Sequence, residues 1–198
     1  MSKKSVLILA ALSLSLAALA SDRSPLQPAV DQPICLKRVY TDAHLARHPG
    51  QNLKEIHVLL NRKIEHYTDE TGGTSTSDWT MAKVSGRVPG DVNTLYINEF
   101  GCEFRPDGSA KCFIECDGGS FLLKPRNSAR EALLQVSPGY YWPLYKEGLD
   151  QDSAASEEPG NRLSFQSDDK ENETYRLEVV PAAECEWDKT AKPVSMGC

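Results

Sequence analysis

Residues 100–114 read FGCEFRPDGSAKCFI, two alternating runs that each carry a cysteine and are joined by Arg105-Pro106-Asp107-Gly108-Ser109. Pro106 pre-sets φ for the first turn position, Asp107 tolerates the second, and Gly108 supplies the left-handed residue of a three-residue hairpin loop. With Arg105 opposite Ser109, Phe104 faces Ala110, Cys102 faces Cys112 and Phe100 faces Ile114, which gathers the apolar side chains on one face. A two-residue loop would set Cys102 against Phe113 and mix the apolar and polar rows. The three-residue loop is therefore expected, with Cys102 and Cys112 close enough to bridge if they form a non-hydrogen-bonded pair.

Period-two alternation recurs elsewhere. Residues 34–40, 53–61, 79–88, 92–100, 121–124, 130–136, 162–166 and 174–180 all read as strands, the last two as a closing hairpin. Residues 41–48 read as a short helix capped by Thr41 or Asp42 and stopped by Pro49-Gly50. Residues 62–77 are polar, with Gly72-Gly73, and read as a long loop or hairpin tip. The expected fold is all-β: an antiparallel sandwich or small barrel of about eight strands with one short N-terminal helix, held by disulfides.

Residues 1–20 have two lysines, an apolar run and Ala18-Leu19-Ala20 at the end, the layout of a signal peptide with its cleavage motif. Residues 21–33, rich in Pro and Gln, read as a flexible N-terminal segment, and 34–198 as one exported β domain with a C-terminal strap. Losing Lys3 and Lys4 with the signal takes the formal charge from −6 to −8. A negative surface weighs against nucleic acid as a partner, and no later stretch is apolar enough for a membrane span. A periplasmic or secreted location is expected.

All six cysteines lie after the signal, as disulfides in an exported chain require. Cys102 with Cys112 follows from register. Cys35 with Cys116 and Cys185 with Cys198 complete the preferred set, without support from register. Cys112 and Cys116, four apart on a strand, lie ~13 Å from each other and fit neither a redox pair nor one metal.

Three groupings bear on function. The segment 137–145, SPGYYWPLY, holds Tyr140, Tyr141, Trp142 and Tyr145, which exposed would form a ligand platform and buried would plug one end of the fold. Glu99 and Glu115 are opposed in the preferred register, the one pair of carboxylates that a glycosidase-like mechanism would need. His44 and His48 share a helical face but lack a third ligand, so no metal is assigned, and no cofactor motif is present. Asn172-Glu173-Thr174 is formally a glycosylation acceptor.

The leading expectation is a noncatalytic exported binding module for an envelope or extracellular protein, peptide or glycan, recognised through loops and the aromatic segment. An envelope-carbohydrate hydrolase using Glu99 and Glu115, or a purely structural envelope protein, are the alternatives.

Overall fold

The computed structural model describes residues 24–114, 118–149, 158 and 160–185. Among the described residues ten strands follow one another as β1 (Ile34–Val39), β2 (Glu55–Thr68), β3 (Thr74–Arg87), β4 (Tyr96–Phe104), β5 (Ala110–Phe113), β6 (Ser120–Arg126), β7 (Glu131–Val136), β8 (Tyr141–Lys146), β9 (Arg162–Gln166) and β10 (Thr174–Val180). One helix, α1 (Asp42–Arg47), separates β1 from β2, and the Thr41 hydroxyl caps it by accepting from the His44 N–H.

Eight strands run in the spatial order β3-β2-β1-β10-β7-β6-β5-β4, and β3 pairs with β4 to close the ring. Every pairing between strands is antiparallel. This is an eight-stranded antiparallel barrel, a size whose interior side chains just fill. The inward rows are those of the alternation: Ile56, Val58 and Leu60 on β2, Ala82 and Val84 on β3, Phe121 and Leu123 on β6, Ala132 and Leu134 on β7, all fully buried.

β8 and β9 stand outside the ring and pair with each other. They hang from β4 through Tyr96 opposite Lys146 and Ile97 opposite Tyr145. Their inward side chains complete the core: Trp142 stacks on Phe165 at 4.1 Å, and both meet Tyr175 edge-on. β8 passes so close to the turn before β6 that a Cβ on Gly119 would lie 2.1 Å from the Tyr141 carbonyl oxygen.

The hairpin has the expected register, with Phe104 opposite Ala110 and Cys102 opposite Cys112. The Arg105 N–H donates to the Ser109 carbonyl, and Gly108 takes a φ of +82°. With residues 105 and 109 hydrogen-bonded, alternation makes 102 and 112 a non-hydrogen-bonded pair, and their Cα atoms lie 4.1 Å apart across the disulfide.

Several expectations are corrected. Cys35 bonds to Cys185, not to Cys116, and Cys185 is therefore not joined to Cys198. Cys35 points outward from β1, where it packs with Leu59 and Cys185. The short 3-10 turn Ala182–Cys185 brings its cysteine there. Cys116 and Cys198 lie outside the described residues. The strands 162–166 and 174–180 do not form a hairpin: β9 joins β8, while β10 lies between β1 and β7. Residues 24–33 lie against the barrel, with Leu26 fully buried and the Ser24 hydroxyl donating to the Gly108 carbonyl. The polar stretch 62–77 is the end of a hairpin and not a long loop, since β2 and β3 stay paired out to Thr68 and Thr74.

Candidate binding trough

β3 and β4 part company at one point. Their pairing runs from Gly86 opposite Tyr96 to Thr80 opposite Cys102 and stops. Beyond it β3 continues with β2 as a projecting arm, while β4 turns with β5 into the disulfide-bridged hairpin. The outer face where the two ribbons diverge is concave, with a cavity of about 480 Å³ bordered by Trp79, Met81, Glu99, Gly101, Glu103, Phe113 and Ile114. A second hollow of about 250 Å³ shares Trp79, Met81 and Glu99 and continues across to Leu59, Asn61 and Lys63 on β2, with Lys83 of β3 on its border. Together they form one trough across β2, β3, β4 and β5.

Alternation explains its lining. Phe100 and Cys112 face the core, so Glu99, Gly101, Glu103 and Phe113 face out, and Trp79 and Met81 do the same on β3. Gly101 forms the floor: a Cβ placed there would meet nothing nearer than the Phe113 carbonyl oxygen at 3.9 Å. A missing side chain at the centre of a ring of apolar ones leaves a seat for a ligand group.

The charged groups differ from those elsewhere on the barrel. Arg62 grips Asp78 through two hydrogen bonds of 2.8 and 2.5 Å. Farther along the same face, the Glu55 carboxylate lies 2.8 Å from His57 Nε2, 3.7 Å from Lys37 and 4.0 Å from Arg87. The hydrogen bond with His57, helped by these cations, holds Glu55 below the usual carboxylate range against the opposing effect of burial. Glu99 and Glu103, by contrast, have no ion-pair or side-chain hydrogen-bond partner among the described residues. Lys111, opposite Glu103 in the ladder, places its Nζ over the rings of Phe113 and Tyr140, at 6.0 and 5.6 Å.

The aromatic segment divides. Trp142 is fully buried and Tyr145 is 6% exposed, so both serve the fold, whereas Tyr140 and Tyr141 keep 51% and 40% of their surface. Tyr140 adjoins the trough through Lys111. Glu115 lies outside the described residues. Two further carboxylates line the trough: Asp78, which Arg62 holds, and Glu103, four residues along the strand from Glu99 with ~13 Å between their backbone positions. His44 stacks between Tyr40 and His48 at 4.7 and 4.4 Å, and its Nε2 lies 3.0 Å from the Gln51 side-chain oxygen. Among the described residues no three His, Cys, Asp or Glu side chains come together as a metal site.

Trp79, Met81 and Gly101 went unremarked as site residues in the sequence. The signal was present as two large apolar side chains on the polar face of β3 and a glycine inside a strand.

The fold and the trough together define a class: a disulfide-stabilised β-barrel with the form of a ligand-binding module. Comparison with known proteins finds no matching family model, no similar curated protein and no similar solved structure.

Proposed function

We propose that the protein is a noncatalytic exported binding module, and that its ligand is an envelope or extracellular protein or peptide held in the outer trough. The observation that carries this is the outward apolar group of Trp79, Met81 and Phe113 around the bare Gly101. Large apolar side chains grouped on the solvent side of a barrel mark recognition surfaces more than they mark stability. The signal-like residues 1–20 support export, and the disulfides fit an oxidising compartment. Tyr140 and Tyr141 extend the surface beyond Lys111.

Residues 21–198 immobilised and exposed to an envelope extract test the reading. The expected result is a reproducible bound component that Gly101→Val no longer retains. This variant fills the seat with a strand-favouring side chain and keeps the fold. Equal capture by both proteins, or capture by neither, would remove the trough as the binding site.

A further inference from the structure

We propose that the trough takes an extended, basic segment of a partner protein, with two cationic side chains four residues apart and a hydrophobic one midway between them. The proposal rests on the binding-module reading and adds the chemistry of the ligand.

Glu99, Gly101 and Glu103 alternate with inward residues, so all three point into the trough from one strand. Glu99 and Glu103 leave the strand ~13 Å apart, which is the advance of four residues in any extended chain. A segment lying along β4 thus brings its own first and fifth side chains over Glu99 and Glu103. Its third drops onto Gly101, where no Cβ obstructs it and Trp79, Met81 and Phe113 enclose it. A helix would not match, because four residues there advance only about 6 Å.

Charge fixes the sign of the ligand. Neither Glu99 nor Glu103 is neutralised among the described residues, although Lys83 and Lys111 are their neighbours in the ladder. Lys111 is turned to the aromatic rings, and the cavity of about 480 Å³ over which the segment lies is lined by Asp78, Glu99 and Glu103 with no lysine or arginine among the described residues, Lys63 and Lys83 bordering the adjoining hollow instead. Asp78, at the trough's edge, is held by Arg62. The formal charge of −8 on residues 21–198, that is −6 less Lys3 and Lys4, adds long-range attraction for a cationic partner.

The mode of docking follows from the ladder. At Gly101 β4 is paired on both sides, with Met81 and with Phe113. No strand edge is open there, so the segment lies over the face and is recognised by its side chains, not by main-chain addition.

The test uses the chain 21–198 and three labelled seven-residue peptides in fluorescence anisotropy. The first has lysine at positions two and six with leucine at four. The second moves one lysine to position five, and the third has glutamate for both lysines. The first is expected to bind best, about tenfold tighter than to the double variant E99Q/E103Q, with the advantage shrinking as salt rises. Equal binding of the three peptides, or no change in E99Q/E103Q, would overturn the proposal. If a Gly101-dependent component is still captured from extract in that case, the binding module stands without the basic segment. A photoreactive group at position 81 that crosslinks to residues 186–198 of its own chain would also overturn it, by making the chain's own C-terminal segment the occupant.

Discussion

Asn172 has no exposed surface and uses the whole capacity of its amide. Its Oδ1 accepts from the Asn52 N–H and the Tyr175 hydroxyl, and its Nδ2 donates to the Gly50 carbonyl and to Asp169. The side chain thereby ties the connection after α1 to the turn before β10. A glycosylation acceptor is read easily from three letters, but the letters do not show that the amide is already spent inside the fold. Tyr175, its partner, has its hydroxyl pushed far above the ordinary tyrosine range by burial, reinforced by Tyr40 and Asp169. The unfolded chain gives up this proton near pH 10 while the folded chain keeps it, so above pH 10 the unfolded state binds fewer protons and stability falls. Below pH 10 the contribution is fully present. Urea titrations from pH 8 to 11.5 should show this loss, with a slope of up to about 1.4 kcal/mol per pH unit from this one group. Tyr175→Phe should cost about 1 kcal/mol at pH 8 and flatten the alkaline slope. Buried Tyr40, Tyr96 and Tyr145, also raised by desolvation, keep part of it.

Among the elements, the arm of β2 and β3 behaves differently from the barrel it leaves. Past Arg62 opposite Thr80 it is paired only with itself, and Ile64 and Tyr67 are 40% and 50% exposed. Neither of its faces meets a core, so its sequence carries no apolar alternation, and for that reason residues 62–77 read as a long loop or a hairpin tip, of which the second holds. Replacing 65–77 with Asn-Gly, which closes the hairpin between Ile64 and Asp78, is expected to leave the barrel's Tm within about 3 °C, measured by circular dichroism. The β4–β5 hairpin was legible to the residue because its turn and its cysteines specify a register independently and agree. β9 was legible as a strand but not in its partner. Alternation at Leu163 and Phe165 reports which face is buried, whereas the neighbouring strand is chosen by packing of Trp142 on Phe165, a contact between residues far apart in the chain. SPGYYWPLY was half legible: its bulk pointed to a core plug or a platform, and β8 buries Trp142 in the core while leaving Tyr141 on the outside.

At the scale of the molecule, closure into a ring follows from β3 meeting β4, which no local pattern announces. The even cysteine count implied bridges, but Cys35 and Cys185 are 150 residues apart and belong together only because β10 lies beside β1. A link of that span removes much of the disorder open to the unfolded chain, about 5 kcal/mol in a loop-entropy description, against about 3 kcal/mol for the ten-residue span of Cys102–Cys112. Replacing Cys35 and Cys185 together by alanine should therefore lower the urea midpoint more than replacing Cys102 and Cys112, with both variants followed by tyrosine and tryptophan fluorescence.

The long bridge also decides how the protein would bear a load. All ten strands lie between Cys35 and Cys185 save the single residue Ile34, so tension applied to the chain's two ends passes through a sulfur–sulfur bond and bypasses the ladder of hydrogen bonds. Stretched between two anchored ends, the barrel would transmit force without being pulled open, and it would become mechanically weak only on reduction.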